Sequence, residues 1–423
     1  MTRRRSIFGG AVGNLVEWYD WYVYSAFSLY FASSFFPEGD LTAQLLNTSG
    51  VFALGFLMRP IGGWLMGRIA DRHGRKTALT ISVVMMCFGS LIIALTPTYA
   101  TIGIAAPVML VLARMIQGLS VGGEYGTAAT YLSEIAGPAH RGFWSSFQYV
   151  TLIMGQLLAL GLLVLLQFVI MDDATLEAWG WRIPFFVGAG LALVGLWLRR
   201  GIEETPDYLA EGKDKRSRAG GLREMLKHRR AVLLAVGIAL GGNVAFYTYT
   251  TYMQKYLVAS AGFDRGTASL ICAAALVIFM LVQPLGGAIS DRIGRKPVLY
   301  WFGIMGVLCT VPLMQAIGSA QNATTAFLLV LGALLIITGS TSVAAVTKAE
   351  LFPAEVRALG VGLPYAISVS LFGGTAEYVA LWFKSAGMES GFFWYVTAAI
   401  AVSLFAYWRV PETRGQSEVT GKA

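Results

Sequence analysis

Long apolar runs separated by short polar breaks dominate this chain. A membrane-crossing helix needs about 20 mostly apolar residues. Runs of that kind lie near 8–36, 46–69, 77–96, 104–132, 144–170, 182–199, 231–258, 266–289, 298–317, 324–348, 358–382 and 391–409. Each predicts a spanning helix. One long polar segment, 199–230, separates the first six runs from the last six. The pattern therefore predicts an all-α membrane protein of twelve transmembrane helices. Residues 1–200 would form one six-helix bundle, 201–230 a linker, and 231–423 a second bundle ending in a short polar tail.

Composition agrees with that solvent. Of 423 residues, 56% are hydrophobic and 13% are charged, where a soluble domain carries about 25% charged residues. A net charge of +8 invites a nucleic-acid reading, but the charges sit in short clusters between apolar runs and form no basic face. Cys87, Cys272 and Cys309 all fall inside apolar runs, which points away from a disulfide framework or a metal cluster. No cofactor is expected. The start, Met1-Thr-Arg-Arg-Arg5, resembles a secretory leader. However, its apolar run continues to Phe36, carries Glu17 and Asp20 and offers no small-residue cleavage site, so it reads as a retained first helix.

Loop charge sets the expected orientation. With the N-terminus cytoplasmic, 26 of the 32 Lys and Arg fall on the cytoplasmic side, including Lys348 and Arg357, and 4 fall outside. The positive-inside rule then places both termini in the cytoplasm. Two loops also repeat. Gly67-Arg-Ile-Ala-Asp71-Arg72-His-Gly74-Arg75-Lys76 reappears as Gly287-Ala-Ile-Ser-Asp291-Arg292-Ile-Gly294-Arg295-Lys296, displaced by 220 residues. Glu134 precedes Arg141 by seven, as Glu350 precedes Arg357. Chance recurrence of basic loops explains the charges but not the shared glycines and aspartates. The two halves are read as a pseudo-symmetric duplication.

These loops resemble the signature of the major facilitator superfamily, in which the loop staples helices at the cytoplasmic face and opens during transport. Asp71 and Asp291 could accept bonds from Arg75, Arg295 and exposed helix-end amides, and the glycines permit the turn. The resemblance narrows to the metabolite:proton symporter branch through Asn14-Leu-Val-Glu17-Trp18-Tyr19-Asp20, Arg59-Pro60-Ile-Gly-Gly, Arg114-Met-Ile-Gln117-Gly118 and Trp179-Gly-Trp-Arg182-Ile-Pro184. Within that branch, Ser146-Phe-Gln148-Tyr149, Thr251-Tyr252-Met-Gln254-Lys255-Tyr256 and Phe372-Gly-Gly-Thr-Ala-Glu377-Tyr378 are similar to bacterial α-ketoglutarate permeases. The likeness implies proton symport of α-ketoglutarate or a similar small di- or tricarboxylate across a bacterial inner membrane, by a monomer.

Ionisable groups inside membrane helices are costly and point to function. Asn14, Glu17, Asp20, Tyr24 and Ser28 share an arc of about 120° on the first helix, a polar stripe that lipid cannot satisfy. Asp20 is the first candidate for the coupling proton, with Glu17 and Glu124 after it. The alternative is that Glu17 and Asp20 merely lock helices by pairing with arginines. A dicarboxylate needs fixed cations to replace its water, and guanidinium grips carboxylate with two parallel bonds. Arg59 and Arg114 are the midplane candidates, although Arg114 could equally pair with a first-helix acid. On the seventh helix Asn243, Tyr247, Thr250 and Gln254 cluster within about 60°, suggesting an opposing wall with Lys255 beyond it. Lys255 could instead be an interfacial lysine reaching for water. Gln148 and Gln156 on the fifth helix and Tyr365 on the eleventh are further substrate-binding candidates.

Rival readings are a proton symporter for citrate, itaconate or a zwitterionic osmolyte, an ATP-driven pump and a non-transporting receptor. The chain carries no Gly-x4-Gly-Lys-Ser/Thr run for a nucleotide. Gating loops in both halves argue against a mere receptor.

Overall fold

The computed structural model describes residues 3–73, 75–121, 125, 129–130, 132–133, 138–200, 225–353 and 356–414. Nearly all of them are helical. Among the described residues eight helices are long and apolar enough to cross a membrane, and three shorter apolar helices accompany them. The 33-residue first helix, α1 (Arg3–Phe35), brings the spanning segments to twelve. Some spans are broken into two helices, and the remaining helices used below are α2 (Leu41–Leu57), α3 (Arg59–His73), α4 (Arg75–Leu95), α5 (Ala105–Val121), α6 (Arg141–Leu165), α7 (Ile183–Arg200), α8 (Arg229–Tyr247), α9 (Met253–Ala259), α10 (Arg265–Ile293), α11 (Arg295–Gly318), α12 (Ala323–Thr341), α13 (Ala344–Glu350), α14 (Arg357–Ser368), α15 (Ala376–Ser385) and α16 (Glu389–Arg409).

Side-chain oxygens start several helices. Asp40, Asp264 and Asn322 accept the amides of Ala43, Thr267 and Thr325, supplying acceptors for donors the helix leaves unmet. Asp264 lies just ahead of α10, and bonds from the Thr267 side chain and amide hold its carboxyl below the usual range.

Several apolar runs are interrupted where one straight helix was expected. α2 and α3 meet at Met58; Pro60, which follows, has no amide to continue the ladder. α12 stops at Thr341, where the Thr338 and Ser342 hydroxyls bond carbonyls four residues back, a habit that bends helices. Wide five-residue turns at Thr248–Tyr252 and Val369–Gly373 interrupt the helices that continue into α9 and α15.

The chain packs as two compact units. Unit 1 comprises Met1–Gly123 and Met154–Arg216, and unit 2 comprises Glu124–Ile153 and Ser217–Ala423. Packing thus assigns the first half of α6 to unit 2 and the second half to unit 1. In unit 1 the helices touch through glycine. A Cβ on Gly118 would lie 2.1 Å from the Gly55 carbonyl, and one on Gly62 would lie 2.2 Å from that of Leu119, so α2–α3 and α5 approach backbone to backbone, as small residues permit in membranes. In unit 2 the same device joins α6 to α10: a Cβ on Gly287 would meet the Gly142 carbonyl at 2.4 Å.

Candidate functional site: a buried charge cluster on α1

In unit 1 the polar stripe of α1 is inside the protein. Glu17, Asp20, Tyr24 and Ser28 are all buried. The close approach of α5 then sets the geometry around Asp20. Gln117 donates to Asp20 Oδ2 at 2.5 Å and to Ser90 Oγ at 3.0 Å, and the Ser90 hydroxyl donates to Asp20 Oδ1. Gly188 on α7 leaves room for the carboxylate, since a Cβ there would lie 2.6 Å from Asp20 Oδ1. Arg114 Nη1 donates to Gln117 Oε1 at 2.8 Å. The expected coupling of Arg114 to a first-helix acid therefore runs through Gln117, a residue that sequence reasoning quoted only as part of a motif. Its signal was an amide three residues from an intramembrane arginine, one helical turn away.

Arg59 and Arg114 are 3% and 0% exposed. Arg59, a midplane candidate for gripping a carboxylate, rests first on aromatic rings. Arg59 Cζ lies 4.0 Å from the Phe56 ring centroid, 4.1 Å from that of Trp21 and 5.2 Å from that of Trp18. Arg114 Cζ lies 4.0 Å from the Trp21 centroid and 4.5 Å from that of Tyr24. Trp21 thus serves both cations. Desolvated cation–π contacts are worth about 2 kcal/mol each, which offsets part of the cost of burial. The N–H groups are another matter: among the described residues, Nε and Nη2 of both arginines find no acceptor. Tyr24 donates its hydroxyl to the Thr48 carbonyl at 2.9 Å, which fixes the ring beside Arg114.

In unit 2 Lys255 is fully buried and pairs with Glu377 at 3.0 Å. It is no interfacial lysine reaching for water. Asn243, Tyr247, Thr250 and Gln254 are all buried. Asn243 donates to Ser368 at 3.2 Å and Gln254 donates to Ser269 at 3.0 Å, on α14 and α10 respectively. The wide turn at Thr248–Tyr252 lies between the two and adds a residue to one turn, so their spacing departs from that of an ideal helix. Gln148 is buried, and among the described residues its Nε2 finds no acceptor.

The second repeat loop is fully tied within unit 2. Asp291 accepts the Gly142 and Phe143 amides at 2.8 Å each, so a carboxylate caps the N-terminus of α6. Arg295 holds Asp291 at 2.7 Å and Glu350 at 3.3 Å, and Arg141 reaches Glu350 at 3.6 Å. Glu412 accepts the Arg295 and Lys296 amides. The side chains of Asn14, Asp71 and Arg75, and residue Glu124 altogether, lie outside the described residues. Lys348, counted above among the cytoplasmic loop charges, is instead 1% exposed inside α13.

A family model described as "Sugar (and other) transporter" matches residues 7–224 and 216–418. The alpha-ketoglutarate permease of Escherichia coli (strain K12) is 57% identical over 404 residues, covering 95% of this chain and 93% of that one. The glycine betaine/proline/ectoine/pipecolic acid transporter of Dickeya dadantii is 36% identical over 392 residues, covering 90% and 77%. A crystal structure of a D-xylose-proton symporter superposes with a TM-score of 0.76 at 20% identity, covering 99% of this chain and 100% of that one, a likeness of fold.

Proposed function

This chain belongs to the sugar (and other) transporter family of the major facilitator superfamily, and we propose that it imports 2-oxoglutarate, or a similar small di- or tricarboxylate, by proton symport. The carrying observation is the pair of buried guanidiniums, Arg59 and Arg114, whose Nε and Nη2 atoms find no acceptor among the described residues. Buried donors left without acceptors cost about 1–3 kcal/mol each, and more when charged. A bound carboxylate removes that cost, so the site favours an anion over a neutral sugar. Relatedness at 57% identity to an alpha-ketoglutarate permease supports the specific acid.

In this reading Asp20 carries the coupling proton, with Glu17 next and Glu124 after it. Asp20 is bonded to Gln117, and Gln117 to Arg114. Protonating Asp20 removes a negative charge from that chain and frees Arg114 to attract the substrate. Deprotonation draws Arg114 back and weakens the grip. The bonds joining Asp291, Arg295, Arg141 and Glu350 then act as a latch that breaks and re-forms as the carrier alternates. The protein works as a monomer in the bacterial inner membrane with both termini cytoplasmic, as a six-plus-six carrier.

The zwitterionic-osmolyte alternative draws on the 36% relative and on the aromatic faces, which attract quaternary ammonium. Here those faces already hold two guanidiniums, which repel a further cation. Counterflow into liposomes separates the readings. Purified protein loaded with unlabelled 2-oxoglutarate should accumulate labelled 2-oxoglutarate and ignore labelled glycine betaine; the opposite preference would overturn the proposal.

A further inference from the structure

Buried cations in unit 2 are nearly all balanced by acids or carbonyls. Lys255 has Glu377, Arg295 has Asp291 and Glu350, and Arg141 has Glu350. Arg357 donates to the Ala349 and Phe352 carbonyls. Lys348 is the exception: among the described residues no carboxylate pairs with it. Its ammonium donates to the Tyr125 hydroxyl at 3.2 Å. It also lies 5.0 Å from the Tyr125 ring centroid and 4.8 Å from that of Tyr365. The two rings are stacked, with centroids 3.4 Å apart and planes 9° from parallel.

An ammonium carries three donors, and one is used by Tyr125. Burying it without an acid is expensive, and a methionine would fill the same volume at no electrostatic cost. The arrangement has the parts of an anion receptor: a fixed positive charge, the Tyr125 hydroxyl beside it, and a stacked pair of rings that holds both in place. Lysine is a compact point charge that tolerates several approach angles, which suits an acid that must enter and leave.

We propose that Lys348, steadied by Tyr125 and Tyr365, binds one carboxylate of the transported acid within unit 2. This rests on the reading of the substrate as a di- or tricarboxylate. It moves the unit 2 cation from Lys255, whose charge Glu377 already neutralises, to a residue that the loop-charge count set aside.

The test compares purified wild-type protein with Lys348→Gln, measuring affinity for 2-oxoglutarate and for 2-oxopentanoate, which has a methyl group where the distal carboxylate stood. The wild type should bind 2-oxoglutarate the more tightly of the two. Lys348→Gln should shrink that preference at least about tenfold, and Lys348→Arg should restore most of it. Tyr125→Phe reads the same contact by removing one oxygen from the stack; it should lower the preference at least about threefold. An unchanged preference in folded Lys348→Gln or Tyr125→Phe overturns the assignment of Lys348 and leaves the transport reading standing. A wild type that binds neither acid overturns the substrate reading, and this inference with it.

Discussion

A charge cluster in unit 1 and an ion pair in unit 2 bury charge in opposite ways. On α9 and α15, Lys255 and Glu377 close on each other at 3.0 Å, and nothing in that pair calls for a ligand. Around α1, Arg59 and Arg114 rest on aromatic faces, and N–H groups of both point at no acceptor among the described residues. Asp20 takes neutral donors, Ser90 and Gln117, and is linked to Arg114 only through the amide. A buried pair in mutual contact has completed its chemistry and serves as scaffold. Cations propped on rings, with a carboxylate one amide away, keep their charge available. The same desolvation cost is met by a counter-ion in one place and only in part, by aromatic faces, in the other, which is why the proposed carrier site is put there.

The largest expected effect belongs to the α1 cluster. Asp20→Asn should abolish proton-driven accumulation of 2-oxoglutarate in vesicles while leaving some exchange of substrate for substrate, because exchange need not pass through the deprotonated empty carrier. An Asp20→Asn protein that still concentrates substrate would move the proton site to Glu17 or Glu124. On the scaffold side, Glu377→Gln leaves the Lys255 ammonium buried without its counter-ion. Breaking such a pair costs about 3–5 kcal/mol, visible as a lowered thermal midpoint. Unchanged stability there would mean that the pair is open to another partner, and the contrast between the units would collapse.

Arg59→Lys comes next. It keeps the charge but loses the planar fork and its stacking on Trp21 and Phe56. If Arg59 grips substrate, a folded lysine variant should bind 2-oxoglutarate about tenfold more weakly, about 1.4 kcal/mol. Normal affinity would remove Arg59 from the binding site and leave it with Lys255 among the scaffold charges.

Much of this was legible in the residues. Apolar run length located the twelve spans, because a helix in hydrocarbon must be long and apolar whatever it packs against. Intramembrane charge singled out Asp20, Arg59 and Arg114 for the same reason. What periodicity could not supply was the partner of each charge. Gln117 joins Asp20 to Arg114 beside a crossing that depends on Gly118 of the same helix and on Gly55 and Gly62 of α2 and α3, and no single-helix pattern encodes a crossing. Nor could an ideal-helix arc on the seventh helix foresee the wide turn at Thr248–Tyr252, which inserts a residue into the period. Lys348 was read as a loop charge because it stands at the end of an apolar run, where a lysine ordinarily reaches water; the break after Thr341 instead turns its short helix inward, with all seven residues buried.

The smallest expected effect is the most direct test of the scaffold reading. If Lys255 and Glu377 serve only each other, replacing both at once with apolar residues of similar reach, Lys255→Met with Glu377→Leu, removes two desolvation costs along with one attraction. Exchanges of that kind are neutral or stabilising by about 1–4 kcal/mol, whereas Glu377→Gln alone destabilises. The double variant should therefore unfold at or above the wild-type temperature and bind 2-oxoglutarate within about twofold of it, less than about 0.5 kcal/mol. A cycle of the two single variants and the double isolates the coupling between the residues. Should the double variant be stable and yet lose substrate affinity, Lys255 would hold charge in reserve as Arg59 does. Unit 2 would then contain two substrate-facing cations, and mutual pairing at 3.0 Å would no longer separate scaffold from site.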